Sequence, residues 1–386
     1  MDAFEHELTN ATDPVNGHLL GAVAFVIDNT GQFLYRRASG RQLLDSDILL
    51  SDDCTLSMHS AAKFVINVAA LQLVERGLVT LDEPVNKHIP EIDELLVLDF
   101  EANDVKSYRP TGLHPPSRPI TLRDLLLNTS GIGYDTYMTE KYGSGQGFIY
   151  GWSIYVVQLL VERLGGHTKF VQYADEHIFG QLGMTSSTYV PAQVPAVWDR
   201  RLQIVKRTKD NDGLQADDDA TQGFTSSVSD LARLFGDLLA GDKCKRLQKS
   251  EHRDLLFAPQ LEPGSDAHKS FLSDTTNFGF LLDLDPDVPN EVAWKEAIFK
   301  STSTPALNWT VAGTLIEKDD ALLGTGIPAD TVTFEGLANV IWTMNRERGR
   351  LMLFGNQLLP SYGVRAHNLA TLFLREAWKV FGGESE

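Results

Sequence analysis

The run Ser60-Ala61-Ala62-Lys63-Phe64-Val65-Ile66-Asn67-Val68-Ala69-Ala70-Leu71-Gln72-Leu73-Val74-Glu75-Arg76-Gly77 decides the reading of this chain. Phe64, Val65, Val68, Leu71 and Val74 recur at helical spacing, which predicts a helix from Ala61 to Arg76 that stops at Gly77. If it opens at about Ser60, the serine and Lys63 share a face one turn apart, and hydroxyl and amine can hydrogen-bond. The unpaired amides of a helix start favour negative charge there. Burying an amine among Phe64 and Val65 disfavours its ammonium, which makes Lys63 a candidate base for activating Ser60. Taken alone, Ser-x-x-Lys more often describes a capping serine with a surface lysine.

Outward from this run, the two ends of the chain read as strands. Ala22-Val23-Ala24-Phe25-Val26-Ile27, the turn Asn29-Thr30-Gly31 and Gln32-Phe33-Leu34-Tyr35-Arg36 predict a hairpin over 21–37. A second is predicted from Val340-Ile341-Trp342-Thr343-Met344 through Asn345-Arg346-Glu347-Arg348-Gly349 to Leu351-Met352-Leu353-Phe354. After Pro360, Leu369, Leu372, Phe373, Ala377 and Val380 mark a closing helix from about Val364 to Val380. The middle is mostly helical. Thr80-Leu81-Asp82-Glu83 and Thr121-Leu122-Arg123-Asp124 are capping-box patterns. Helices are expected at 153–164, ending on Gly165-Gly166, and at 229–239 before Gly241. Residues 206–222, rich in Asp210, Asp212, Asp217, Asp218 and Asp219, read as a solvated loop. Gly143-Ser144-Gly145-Gln146-Gly147 lacks the lysine of a phosphate loop and reads as a flexible lead-in to Tyr150. The expected architecture is α+β: one domain with two lobes, a central antiparallel sheet from both termini (about 15–58 and 275–386) and a mainly helical lobe (about 59–274).

Composition removes several function classes. With 42% hydrophobic and 22% charged residues, the 386-residue chain is an ordinary globular protein able to bury a core. A net charge of −18 repels nucleic-acid phosphates and anionic lipid. Two cysteines, Cys54 and Cys244, cannot make a disulfide framework. The start, Met1-Asp2-Ala3-Phe4-Glu5-His6-Glu7, is acidic and unlike a signal peptide, and no apolar run approaches the ~18–20 residues of a membrane span. A reduced, soluble, cytoplasmic protein is expected. The histidines show no ligand spacing, so neither metal nor cofactor is expected. His59, adjacent to Ser60, does not share its helical face and is a poor base; Cys54 reads as a small buried hydrophobe.

Several segments in fixed order extend the Ser60–Lys63 signal: Leu81-Asp82-Glu83-Pro84-Val85, Ile120-Thr121-Leu122-Arg123-Asp124-Leu125-Leu126, Asn128-Thr129-Ser130-Gly131, Tyr150-Gly151-Trp152-Ser153, Leu182-Gly183-Met184-Thr185 and Gly223-Phe224-Thr225-Ser226. The string resembles the serine β-lactamase-like superfamily, in its class C and family VIII esterase branch, over about residues 20–380. Tyr-Gly before the helix, with Asn339, Trp342, Arg346-Glu347-Arg348-Gly349, Gln357 and Leu359-Pro360, looks most like acyltransferases and esterases of fungal secondary metabolism. The resemblance implies that Ser60 is the acylated nucleophile, Lys63 its base and Tyr150 the group that shuttles the acceptor's proton. It also implies a third motif near Leu307-Asn308-Trp309-Thr310-Val311-Ala312-Gly313, which makes Trp309 and Thr310, together with Trp152, the candidates for substrate binding and the oxyanion hole. The expected function is serine-dependent acyl transfer between a small-molecule ester or thioester, a carrier-protein or CoA thioester included, and an alcohol or water. The alternative is a member that uses the same pocket without acylation, as a ligand-binding protein or a cyclase.

Overall fold

The computed structural model describes residues 1–100, 110–133, 138–139, 147–166, 169–208, 213–274, 306–319, 325–359, 361 and 363–383. Its centre is a seven-stranded sheet drawn from both ends of the chain. The strands are β1 (Gly21–Asp28), β2 (Phe33–Gly40), β3 (Leu307–Trp309), β4 (Thr314–Ile316), β5 (Thr331–Gly336), β6 (Val340–Asn345) and β7 (Arg350–Gly355). They lie in the order β3-β4-β5-β6-β7-β1-β2, each pair antiparallel. Both predicted hairpins form. In the first, the Asp28 carboxylate accepts from the amides of Thr30 (2.8 Å) and Gln32 (3.1 Å), while Gly31 takes φ +79°. In the second, Gly349 at φ +58° closes β6 onto β7.

Helices cover both faces of the sheet. On one side pack α1 (Asp2–Ala11) and α6 (Val364–Phe381): Phe4 meets Phe373 at 5.1 Å and Phe354 at 6.3 Å, and the Trp378 indole donates to Thr343 Oγ1 at 3.1 Å. On the other pack α2 (Lys63–Glu75) and α5 (Val228–Leu239). Phe64, Phe235 and Trp342 meet there at 5.1–5.6 Å between ring centres. Trp342 and Thr343 point to opposite sides because strand side chains alternate. Between the sheet strands of the two ends lie α3 (Leu122–Leu126) and α4 (Ser153–Leu164), with α4 packed on α2.

Three expectations need correction. The helix predicted from Ala61 begins at Lys63, after a 3₁₀ turn over His59–Ala62. Every residue of it from Phe64 to Leu71 is buried, because α4 and α5 cover the sides that the sheet does not. The Thr80 amide does donate to Glu83 (2.8 Å), yet the segment makes a turn and then only a 3₁₀ step over Val85–Lys87. Thr121 and Asp124, in contrast, form the full capping box of α3. Residues 206–222 hold a short antiparallel pair, Val205–Arg207 with Leu214–Ala216, and Asp218 anchors it by accepting from Arg201 (3.1 Å) and Gln203 (3.1 Å). Asp210, Asp212, the Gly143–Gln146 part of the glycine-rich stretch, Pro360 and the start of the C-terminal sheet lobe at 275 lie outside the described residues. Helix α1 had no sequence expectation. It is held at its start by the amino terminus against Glu376 (3.1 Å).

Candidate active site

The Ser60 turn is built by unrelated parts of the chain converging on four residues. Ser57 is clamped by Gln357: its amide donates to Oε1 (2.9 Å) and its carbonyl accepts from Nε2 (3.2 Å). Gln357 itself takes φ +55°. The Met58 amide donates to the Phe224 carbonyl (2.9 Å), and the Ala61 carbonyl accepts from the Trp342 indole (2.8 Å). Between these ties His59 is held at φ +45°, a conformation that costs a residue with a Cβ and persists only when its surroundings over-determine it. The 3₁₀ turn that follows places Ser60 and Lys63 on one side, and Lys63 Nζ donates to Ser60 Oγ at 2.6 Å.

Burial holds the Lys63 amine far below the ordinary lysine value of 10.5, at about 7. Desolvation is the one cause, and among the described residues no carboxylate offsets it. The ammonium position lies 4.9 Å from the centre of the Tyr150 ring. Tyr150 is in turn packed against Phe334 (5.7 Å) and Trp309 (6.4 Å). The Tyr-Gly pair has a steric cause: a Cβ on Gly151 would stand 2.5 Å from the Ile132 carbonyl and 2.6 Å from Gly133 Cα. Only glycine lets the chain pass there and deliver Tyr150 at the start of α4. Burial also lowers His59 to about 4, with the Lys63 charge as the second cause. Cys54 is buried and its thiol is pushed up to about 12, so it offers no thiolate.

Lys63 and Tyr150 stand on the wall of a narrow cavity of about 20 Å³. Phe64, Asn67, Leu125, Leu126, Asn128, Ile154, Trp309, Val311, Ala312 and Phe334 complete it. The wall is mostly apolar with a few convergent polar groups, the usual character of a small-molecule site. Among the described residues, no group of three or more His, Cys, Asp or Glu is placed to hold a metal ion.

Of the other candidates, Trp309 reaches the cavity, and Thr310 and Trp152 do not line it. The Thr310 hydroxyl is spent inside its own loop, accepting from the amides of Ala312 (3.1 Å) and Gly313 (3.1 Å) and donating to the Gly313 carbonyl (3.0 Å). The remaining amides there are engaged too: Trp309 with Asn308 Oδ1 (2.9 Å), Thr310 with Gly313 O (2.8 Å) and Val311 with Leu255 O (3.0 Å). An oxyanion donor needs an amide not already given away, so the 309–313 loop is overturned as its source. Trp152 is 36% exposed, with its ring 4.7 Å from Tyr155.

The strand that lies along the Ser60 turn is β5. Its Gly336 touches the turn: a Cβ there would collide with the Met58 carbonyl and stand 3.0 Å from the Ala61 amide. Partner β4 pairs with Thr331–Thr333, so among the described residues the Phe334–Gly336 half is paired with β6 and with no other strand. Sequence reasoning missed this segment; its one signal is a glycine inside an apolar strand, which marks close approach of another backbone. Glu335, next to Gly336, makes no hydrogen bond or ion pair among the described residues, and burial raises its carboxyl well above the ordinary value.

The chain is similar to known proteins in sequence and in fold. The family model described as Beta-lactamase matches residues 2–303. Acyltransferase calJ of Penicillium decumbens is 26% identical, over 91% of this chain and 87% of the relative. Monacolin J acid methylbutanoyltransferase of Aspergillus terreus is 28% identical, over 88% and 87%. In three dimensions the chain matches a mutant of simvastatin synthase from Aspergillus terreus with a TM-score of 0.81, 24% identity, and 99% and 97% of the two chains covered. The expected fold, a β-lactamase/transpeptidase-like sheet flanked by helices, is the one observed. No helix among the described residues is long and apolar enough to cross a membrane.

Proposed function

The chain belongs to the beta-lactamase family, as an enzyme among acyltransferases and esterases of that fold, and from this premise we propose that it transfers acyl groups through an ester formed on Ser60. The observation that carries the reading is the 2.6 Å bond between Ser60 Oγ and an amine held at about 7 by burial. A lysine with that value accepts a proton at neutral pH, and a hydroxyl in direct contact supplies it.

Ser60 Oγ attacks the carbonyl of an ester or thioester as its proton passes to Lys63. A C–O bond forms, the bond to the leaving alcohol or thiol breaks, and that group departs with the proton. An incoming alcohol then gives its proton back through the Tyr150–Lys63 pair and takes the acyl group, restoring Ser60. Water in place of the alcohol gives hydrolysis. The oxyanion is held by the Ser60 amide and, in place of the 309–313 loop, by the backbone at Gly336, where β5 ends beside the Ser60 turn. One such donor contributes roughly 3–4 kcal/mol. The transferase names of the relatives support transfer of an acyl group to or from a small molecule; the donor in this reading is an ester or thioester, a carrier-protein or CoA thioester included, and the acceptor an alcohol. A cytoplasmic setting suits such donors.

The test is intact-mass measurement after mixing with a p-nitrophenyl ester or a short acyl thioester. A stoichiometric adduct that vanishes in Ser60→Ala is expected. An adduct retained by Ser60→Ala, or none with any ester, sinks the reading and favours a member that binds or cyclises without acylation. Product ratios with and without added alcohol separate transferase from esterase.

A further inference from the structure

The 309–313 loop forms one wall of the cavity beside Lys63, through Trp309, Val311 and Ala312. The loop is tied down on two sides. On one, the Gln260 amide donates to the Trp309 carbonyl (2.9 Å), the Val311 amide to the Leu255 carbonyl (3.0 Å), and the Leu261 amide to Asn308 Oδ1 (3.0 Å). On the other, Asn67 Nδ2 donates to the Val311 carbonyl at 2.7 Å. Among the described residues, this is the hydrogen bond that joins the loop to α2, the helix whose first residue is Lys63. Asn67 stands one turn after Lys63 on the same helix face, and both side chains line the cavity. Asn67 is 7% exposed, in a run that is otherwise apolar from Phe64 to Leu71. Burying a carboxamide there costs desolvation, which the bond to Val311 offsets.

We propose that Asn67 is a positioning residue of acyl transfer: by holding the Val311 carbonyl, it fastens the 309–313 loop down on α2 and keeps the space beside the Lys63 amine too small for bulk water. The inference rests on the Ser60 acyl-transfer reading and adds to it the residue that guards its base. A cavity of about 20 Å³ has room for about one water molecule. Burial is the cause that holds Lys63 at about 7, and it lasts only while this wall stays in place. Cut from Asn67, the loop stays attached on its Leu255–Leu261 side alone, and the stranded Val311 carbonyl draws water in beside the amine. Few charges bear on the amine among the described residues. Tyr150 is the other titratable group on the wall, while α3, β5 and the loop bring Leu125, Leu126, Phe334 and Val311 to it. Strand alternation sets Glu335 on the face of β5 away from Phe334. His59, on the Ser60 turn, is lowered to about 4 and so is neutral at pH 7.

The experiment is the pH profile of Ser60 acylation by a p-nitrophenyl ester in wild type, Asn67→Ala and Asn67→Leu. Asn67→Leu keeps the volume, so it cuts the tie without carving out space, and it serves if Asn67→Ala fails to fold. Each variant should move the inflection from about 7 up by about one to two pH units. Acylation at pH 7 then slows about five- to fiftyfold, matching the fall in neutral Lys63, and recovers as pH rises. An inflection within about 0.3 pH units of wild type, in either variant that folds, overturns the proposal. So does a rate lowered equally at every pH, which marks a structural role alone. If wild type forms no acyl-enzyme, the Ser60 reading fails separately. The dependence of stability on pH that Lys63 causes, measured against Lys63→Met in each background, then decides the role of Asn67. Its onset near pH 7 should rise by the same one to two units, roughly, in the Asn67 variants, and an unmoved onset overturns the proposal.

Discussion

Titrating Lys63 tests the site most directly. An ordinary lysine, with its value of 10.5, is neutral in about one molecule in 3,000 at pH 7. Held at about 7, Lys63 is neutral in roughly half, so burial raises the population able to take the Ser60 proton by about three orders of magnitude. The rate of Ser60 acylation, read by stopped-flow with a p-nitrophenyl ester, should therefore rise with pH through one inflection near 7. Below it the rate falls about tenfold per pH unit. Lys63→Arg, which stays charged, should show no such rise and lose at least about a hundredfold at pH 8. The same shift has a stability counterpart with a fixed sign. Between about 7 and 10.5 the unfolded chain binds the proton that the folded one has released. Stability thus gains up to about 1.4 kcal/mol per pH unit across that window, and the gain is absent below it. Lys63→Met removes the slope and should leave the protein more stable than wild type at pH 6, with the gap closing towards pH 10. A rate profile flat from pH 5 to 9, an inflection near 10, or Lys63→Arg within tenfold of wild type would refute the reasoning.

Gly336→Ala drives a Cβ into the Met58 carbonyl; denaturant unfolding should show a loss of about 1–3 kcal/mol, and acylation should slow because the Ser60 turn is what must move. Gln357→Ala strands the amide and carbonyl of Ser57, at about 1–3 kcal/mol for each buried group left unpaired, and should lower kcat more than it raises KM. Glu335→Gln probes the raised carboxyl: its stabilising neutral form is fully present below the ordinary glutamate value of 4.5 and is lost as pH rises through the folded value. The variant should match wild type in melting temperature at pH 4 and exceed it at pH 9. A gap that widens on acidification instead would show that the carboxylate is ion-paired.

Ser60, Lys63 and both hairpins were legible because each depends on near neighbours: a turn residue, a strand period, or a pair one helical turn apart. The helix start at Lys63 rather than Ala61 was not, since the 3₁₀ turn is imposed by Gln357, Phe224 and Trp342 from distant parts of the chain. Gln357 and Trp342 stood out in the sequence only as marks of likeness, and their work as clamps on the Ser60 turn needed their partners in view. The oxyanion expectation failed for a related reason. A short apolar segment around Trp309 reads as a strand near a site, yet whether its amides are free depends on Thr310 folding back on Gly313 and on Leu255 arriving from elsewhere.

By itself the sequence determined that a hydroxyl and an amine lie a turn apart, that strands from both ends share the sheet, and that the chain is strongly acidic. Periodicity and charge are local or additive quantities, and a linear string states them in full. The tertiary structure alone decided that the amine is dry enough to be half neutral, that β5 lies along the Ser60 turn, and that, among the described residues, Asn67 Oδ1 and Trp309 Nε1 have no hydrogen-bond partner. Desolvation and hydrogen-bond satisfaction depend on every atom within a few ångströms, whatever its distance along the chain, and only folding sets that neighbourhood.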